Sequence, residues 1–260
     1  MAISIRFQST IDPKKFNNLI YNKTKKLLKK QVLQMREELL DELSNVFSKW
    51  FIESKTIRSL LGAYAGDTEG YDLQAEFGLT PLVAERAIMA MISILGSDFN
   101  LKIESGKAAT GTLIQIRLSG LYQRTIDRLK NIPEGSYISY STAKHFGGSI
   151  NGTGVVIPWL EWLLDGKKLV LEDYGIAYGS FDRARSGRAI MVSDSLIGKK
   201  KKYPQIDMST ISFPWSLPRM AIPRRGRNFI ESIVLSKKFQ NDLSKKIKRK
   251  FMLRLERFAK

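Results

Sequence analysis

The first residues of the chain alternate between apolar and polar side chains, which is typical of a short β-strand. Ile3, Ile5 and Phe7 occupy every second position, and polar side chains separate them. Because successive side chains of a strand point to opposite faces, one face of this segment is apolar and the other polar. The same alternation in residues 99–104 and 114–118, with a turn-rich segment between them, predicts an antiparallel hairpin.

A helical period follows the first strand. Asp12 precedes Pro13, and a capping residue followed by proline is a common start of a helix. Apolar residues then recur at intervals of three and four, at positions 28, 32, 35, 39, 43, 46 and 50. The pattern predicts a long N-terminal helix over about residues 13–55, roughly 60 Å in length at 1.5 Å per residue. A break near Lys23–Lys30 is the alternative.

Shorter elements follow, and a second long helix ends the chain. Helices are predicted at residues 81–96, 120–131 and 158–166, and strands at residues 168–177 and 188–193. The last helix begins after Asn228, which is a good cap. Two segments lack a period and predict loops, one rich in glycine and serine at 132–156 and one basic loop or arm at about 196–227.

The order of these elements predicts an α+β fold. A mainly antiparallel sheet is expected to pack against two long helices, one N-terminal and one C-terminal, in a single domain over residues 1–260. Alternating strand–helix–strand units are absent from the pattern, which argues against a Rossmann or P-loop architecture. A hydrophobic content of 43% is enough to bury a core.

The net charge points to an anionic partner. The chain has 43 lysines and arginines against 25 acidic residues, a formal charge of +18. Such an excess attracts DNA, RNA, an anionic membrane surface or an acidic protein, and the charge alone does not choose among them. The absence of cysteine excludes disulfides and thiolate metal sites, and suits a reducing compartment. The apolar stretches are too short for a membrane span or a secretion signal, so neither is predicted.

Most of the notable basic residues fall into runs. These are Lys23, Lys26 and Lys30 on one helical face, Lys199, Lys200, Lys201 and Lys202 in the predicted arm, Arg224, Arg225 and Arg227 before the last helix, and Lys245, Lys246, Lys248, Arg249 and Lys250 within it. Cations near a helix C-terminus also interact favourably with the helix dipole, which explains part of the last run. The four lysines of the arm lie in a polar, proline-flanked segment and are candidates for contact with an anionic partner. No motif for sequence-specific nucleic-acid recognition accompanies them.

Two features suggest nucleotide or acid–base chemistry, and each lacks part of its pattern. Gly147–Gly154 resembles a phosphate-binding loop but lacks the lysine that follows the second glycine. His145 is the only histidine, which excludes a multi-histidine metal site and leaves little room for a serine–histidine–acid triad. We therefore interpret both as loop residues.

Two carboxylate pairs raise the alternative of a magnesium-dependent nuclease. Glu161 and Asp165 lie four residues apart on a short predicted helix, and Glu172 precedes Asp173 on a strand. A nuclease also needs a lysine positioned beside its strand carboxylate, and the pattern offers none there. The sequence thus predicts no enzyme, no cofactor and no metal site.

Four segments, in this order, carry a resemblance to a known family. They are Ser59–Gly62 followed by Leu73–Leu79, then Ile157–Leu164, then Arg185–Met191, and last Trp215–Pro218 leading into Asn228–Ile230. The second is the most specific, because two tryptophans three residues apart behind a proline are rare by chance. Together the segments resemble the neck and tail-completion proteins of tailed bacteriophages, over about residues 55–245.

The resemblance implies a non-catalytic virion structural protein that joins head to tail. It implies a homo-oligomeric ring, a hexamer, with portal or neck and tail proteins as neighbours. Such a protein is made in the host cytoplasm and ends in the neck of the virion, where non-specific contact with DNA is a further expectation. The alternative from the residues themselves is a non-specific nucleic-acid-binding protein outside any particle, for which the charge would serve equally well.

The matched residues have mainly structural interpretations. The residues interpreted as family-specific structure are Pro158, Trp159, Trp162, Leu163, Trp215 and Pro218. The two tryptophans share one side of their helix and leucines cover much of the rest, so both are expected to be largely buried. Candidates for a subunit interface or an acidic partner are Arg185, Gly187, Arg188, Arg224, Arg225 and Arg227. Gly187 would supply backbone freedom and the arginines charged hydrogen bonds.

Overall fold

The structure is a computed structural model of the chain. It describes residues 2–8, 18–65, 72–105, 112–119, 123–139, 155–165, 170–172, 174–181, 184–193, 211, 214–216 and 228–258. Several features singled out in the sequence lie outside the described residues: His145, Gly147–Gly154, Asp173, Lys199, Lys200, Lys201, Lys202, Pro218, Arg224, Arg225 and Arg227.

The described residues form helices and strands in the following order. From the N-terminus they are β1 (Ala2–Gln8), α1 (Asn18–Gln34), α2 (Arg36–Ile52), α3 (Lys55–Leu60), α4 (Leu73–Glu76), α5 (Pro81–Ser97), β2 (Asn100–Ser105), β3 (Thr112–Ser119), α6 (Gln123–Lys130), β4 (Tyr137–Ser139), β5 (Val155–Ile157), α7 (Trp159–Asp165), β6 (Val170–Leu171), β7 (Tyr174–Tyr178), β8 (Ala189–Ser193), β9 (Trp215–Ser216), α8 (Phe229–Val234) and α9 (Lys237–Phe258). A single 3₁₀ turn at Pro133–Gly135 precedes β4.

The chain mixes helix and sheet, as the sequence predicts, but it is not mainly sheet. Helices account for more of the described residues than strands do. The strands form one three-stranded sheet in the order β1-β3-β2 and two-stranded pairs β4-β5, β6-β9 and β7-β8, all antiparallel. The prediction of a mainly antiparallel sheet was therefore wrong, because alternation of side chains identifies a strand without saying how many partners it finds.

The segment predicted as a single helix over residues 13–55 contains two helices, α1 and α2. The described part begins at Asn18, and it is divided into α1 and α2 at Met35. Backbone hydrogen bonds from Met35 to Gln31 and from Leu39 to Met35 continue across the division. Neither proline nor glycine lies within α1 and α2 to signal a break. The division is therefore invisible in local propensity, and it does not fall at Lys23–Lys30.

The C-terminal helix is likewise two helices. Asn228 caps the first one, since its side-chain oxygen accepts a hydrogen bond of 2.8 Å from the backbone nitrogen of Glu231. The helix then stops, and Ser236 caps α9 through a hydrogen bond of 3.2 Å from the nitrogen of Phe239 to its hydroxyl oxygen. The apolar period runs through both helices, so periodicity alone predicts one.

The predicted hairpin of residues 99–104 and 114–118 is confirmed as β2 and β3. Its register pairs Ile103 with Ile116 and Leu101 with Leu118. The N-terminal strand β1 is also confirmed, and it adds to the free side of β3, pairing Ile5 with Ile116. Helix α1 lies against β2 and β3. Each strand was identified by its alternation, but the pairing of β1 with β3 joins residues more than 100 positions apart and left no local signal.

The chain forms two compact units, although the sequence predicts a single domain. Unit 1 comprises residues within 1–50, 93–125 and 234–260, and unit 2 comprises residues within 51–92 and 126–233. In unit 1, α2 and α9 pack antiparallel: Phe47 and Trp50 meet Phe239 edge to face at 6.3 and 6.4 Å, and the Lys250 ammonium lies 3.0 Å from the Glu42 carboxylate. The buried core of these two helices includes Leu39, Leu43, Val46, Leu243, Ile247 and Phe251.

Unit 2 is built from short helices and two-stranded pairs. Its core includes Ile57, Leu60, Leu73, Phe77, Trp159, Leu160, Leu163 and Ile230, all buried. The segment 132–156 was predicted to be a loop, but residues at its two ends form β4 and β5, in which Tyr137 pairs with Ile157. These strands are three residues long, too short for their alternation to stand out from the surrounding loop.

Candidate functional site

Segments of the family resemblance that are far apart in sequence meet in unit 2. Trp159, at the start of α7, is fully buried, and its ring lies 5.9 Å from that of Phe77, which follows α4. The indole nitrogen of Trp159 donates a hydrogen bond of 2.8 Å to the carbonyl oxygen of Glu134. Leu163, one helical turn later, is buried as well. Both residues are therefore core residues, as their pattern suggests.

Trp162 departs from this expectation because it is only partly buried. It borders a small cavity of about 70 Å³ together with Glu76, Tyr137, Ala189 and Met191. Pro158, which precedes the helix, is also partly exposed. Trp159 is thus fully buried, whereas Trp162 keeps part of its surface exposed.

A charged network ties the third matched segment to the first. The guanidinium of Arg188 donates to both carboxylate oxygens of Asp72, at 2.9 and 3.1 Å, and to the side-chain oxygen of Gln74 at 2.8 Å. Asp72 is almost completely buried, and one of its oxygens also accepts the backbone N–H of Ala75 at the start of α4. A buried carboxylate needs such partners because desolvation of an unpaired charge is costly.

The amide nitrogen of Gln74 extends this network to α3. It donates a hydrogen bond of 3.0 Å to the carbonyl oxygen of Leu60, while the hydroxyl oxygen of Ser59 accepts one of 2.8 Å from the nitrogen of Leu73. Arg188 was predicted to contact a neighbouring subunit or an acidic partner. Its guanidinium is instead directed to groups within unit 2, and we therefore interpret it as a structural residue.

Arg185 lies on the surface near the same network. Its guanidinium stacks over the ring of Tyr137 at 4.2 Å from the ring centre, and the Tyr137 hydroxyl donates a hydrogen bond of 2.9 Å to the carbonyl oxygen of Phe77. Burial raises the pKa of Tyr137, and the nearby Arg185 charge opposes this. Gly187 adopts the left-handed conformation with φ of 70°, so the expected backbone freedom is used there. Arg185 is exposed and stays an interface candidate.

The carboxylate pair of α7 is occupied by an internal cation. Lys130 on α6 lies 2.5 Å from Asp165 and 3.5 Å from Glu161. The hydrogen bond to Asp165 is the main reason that the pKa of Lys130 is raised, while partial burial opposes the shift. Within the described residues, no group of three or more histidine, cysteine, aspartate or glutamate side chains is arranged to hold a metal ion.

A basic groove in unit 1 was not predicted as a site. Lys238, Lys245 and Lys248 of α9 line it together with Trp50 at the end of α2. Its volume is about 740 Å³, and it is open to solvent. In the sequence, Lys245 and Lys248 belong to a charged run, whereas Lys238 was not singled out and Trp50 counted only as one position of an apolar period. The position of Trp50 beside α9 depends on tertiary packing, which has no local signal in the sequence.

Trp215 lies in β9, which pairs with β6. None of the described helices is both long and apolar enough to cross a membrane. Comparisons with known protein families, curated proteins and solved structures found no match to this chain.

Proposed function

We propose that the chain is a structural protein of the neck of a tailed bacteriophage, where it forms a hexameric ring between the head and the tail. The proposal begins with the sequence resemblance. It is supported by one structural observation: three of the four matched segments, separated by up to about a hundred residues, are joined by the contacts of Phe77 with Trp159 and of Gln74 with Arg188. The resemblance thus falls on a packed unit and not on scattered surface positions.

The function proposed for this unit is mechanical. Fully buried aromatic packing and a charged network of several hydrogen bonds are expected to resist local opening, which a joint under the pressure of packaged DNA requires. Side chains at the surface of the unit, among them Arg185, would contact neighbouring subunits. The packing of antiparallel strands against the N- and C-terminal helices belongs to the same proposal. No step of this function involves bond formation or cleavage.

The experiment is to measure the chain in virus particles. Particles produced with an epitope-tagged chain are purified by density gradient and analysed by quantitative mass spectrometry. We expect the chain in DNA-filled particles, in a constant ratio to the portal protein that corresponds to a ring. A chain that is made during infection but is absent from purified particles would contradict the proposal.

A further inference from the structure

The groove on α9 is lined by a row of lysines along one face of the helix. The exposed residues Lys238, Asn241, Lys245 and Lys248 follow one another at intervals of three and four. Over these residues the helix rises by about 15 Å. The opposite face carries Phe239, Leu243, Ile247 and Phe251, all buried in the core of unit 1. The lysine row is therefore fixed in place by the packing behind it.

The lysines of the row are available for an external anion. Within the part of the chain that the structure describes, no carboxylate pairs with Lys238, Lys245 or Lys248. Their neighbours differ in this respect, since Lys250 pairs with Glu42 and Lys246 lies 3.9 Å from Asp242. The three lysines that line the groove thus have no carboxylate partner among the described residues.

Trp50 forms the aromatic wall of the groove. Its indole nitrogen donates a hydrogen bond of 3.0 Å to Asp242, and the edge-to-face contact with Phe239 supports one side of its ring. The ring is partly exposed toward the groove. Asp242 is the only acidic residue that lines this groove among the described residues, and its charge is shared with Trp50 and Lys246. The hydrogen bond to Asp242 holds the Trp50 indole in one orientation.

We propose that this groove binds single-stranded nucleic acid without sequence preference. The phosphate groups lie along Lys238, Lys245 and Lys248, and one base stacks on the exposed part of the Trp50 indole. A positively charged groove with an aromatic side chain is the usual arrangement for this ligand, because every base has a flat face that can stack. An acidic peptide would match the charge, but its carboxylates would leave the indole surface unused. The inference is independent of the proposed neck function.

The test measures binding of a fluorescein-labelled oligo-dT strand by anisotropy at several salt concentrations. The groove variant carries Lys238→Gln, Lys245→Gln and Lys248→Gln. The matched control carries Lys23→Gln, Lys26→Gln and Lys30→Gln, which removes the same charge from exposed positions on one face of α1. We expect the groove variant to lower the slope of log affinity against log salt by about 2, since each phosphate contact to a single strand contributes about 0.7. The control should retain most of the slope.

Two further variants test the aromatic wall and the acidic residue. Trp50→Leu is expected to weaken binding about tenfold or more, and Trp50→Phe much less, because stacking on an aromatic ring is retained. Asp242→Asn should tighten binding, since it removes the only described negative charge from the groove. Thermal melting of each variant shows whether it is folded, and the lysine variants keep the test valid if Trp50→Leu does not fold.

The competing explanations give different results. Equal losses in the groove variant and in the α1 control would overturn the proposal, because binding would then follow net charge alone. Equal affinity for a duplex of the same length, with no effect of Trp50→Leu, would also overturn it. Displacement of the strand by polyglutamate at equal charge concentration would assign the groove to an acidic protein segment instead.

Discussion

Trp159 and Trp162 show how two identical residues three positions apart acquire different roles. Trp159 is fully buried, is packed on Phe77, and has its indole N–H satisfied by a carbonyl. Trp162 is only partly buried beside a small cavity. The sequence identified the pair as structural from their spacing. Spacing could not distinguish them, because the depth of each side chain depends on what packs over α7.

This difference predicts unequal costs on replacement. Trp159→Ala should lower the free energy of unfolding by about 3–5 kcal/mol through loss of packing and a cavity. Trp162→Ala should lower it by about 1 kcal/mol, because a half-buried ring contributes less transfer free energy. Chemical denaturation of the two variants measures both. Similar losses for the two would show that the assignment of Trp159 as the buried member is mistaken.

The Arg188 network gives a second prediction at the residue scale. Arg188→Met leaves the buried Asp72 carboxylate without its cation, and we expect a loss of about 3 kcal/mol in the free energy of unfolding. Combining it with Asp72→Asn should cost less than the two single losses together, because no charge is then left buried. Denaturation of the single and double variants measures this.

Lys130→Met is the matched control for that network. Its ion pairs with Glu161 and Asp165 are partly exposed to solvent, so its loss should cost at most about 1 kcal/mol. If Arg188→Met were no more costly than Lys130→Met, the network would not stabilise unit 2 and Arg188 would be available as an interface residue after all.

At the scale of elements, the sequence predicted what depends on local pattern. The hairpin β2–β3, the strand β1, and the helices α5, α6 and α7 agree with it, since each combines a clear period with a recognisable start or end. The very short helices α3 and α4 were missed, and so was the division at Met35. These features are determined by tertiary contacts such as the network of Asp72, Gln74 and Leu60, which no window of sequence contains.

The candidate site was predicted less well than the fold. Lys245 and Lys248 were identified by the density of the basic run, and Lys238 was not; the groove also required Trp50 to be brought beside them by the packing of α2 on α9. Arg188 was assigned to an interface because arginines beside a glycine suggest an exposed contact. The buried carboxylate that it meets lies more than 100 positions earlier, so no local pattern indicated the contact.

The caps of the C-terminal helices provide a prediction at this scale. Asn228→Ala removes the side-chain acceptor for the Glu231 N–H and should cost about 1 kcal/mol, and Ser236→Ala should cost a similar amount through the Phe239 N–H. Asn228→Asp and Ser236→Thr keep an acceptor and should remain close to the original stability. Equal effects of the alanine and the conservative substitutions, in thermal melting, would exclude capping as the cause.

At the scale of the whole molecule, the formal charge of +18 favours contact with an anionic partner. Some cations are paired within unit 1, where Lys250 and Arg254 face Glu42 and Glu38. Other cations face solvent on α1 and α9, and an excess of this kind favours association with a polyanion. The lysines at 199–202 and the arginines at 224, 225 and 227 lie outside the described residues, and their contact with an anionic partner stays a prediction.

The arm provides a test of its own. Changing Lys199, Lys200, Lys201 and Lys202 to glutamine should leave thermal stability unchanged, because a polar, proline-flanked run is not expected to belong to the core. Incorporation of the chain into particles should fall and should become more sensitive to salt during purification, since exposed charge contacts are screened within about 10 Å at 0.1 M salt. Incorporation equal to that of the unmodified chain would show that the run is only a solvated segment.

Cryo-electron microscopy of intact particles that carry a labelled form of the chain tests the proposed ring in the neck of a virus particle. We expect the label between the head and the tail, in a closed ring into which the structure of unit 2 fits with Trp159 inside the subunit and Arg185 at its surface. Label on the capsid shell or along the tail, or neck density that cannot accommodate unit 2, would contradict it.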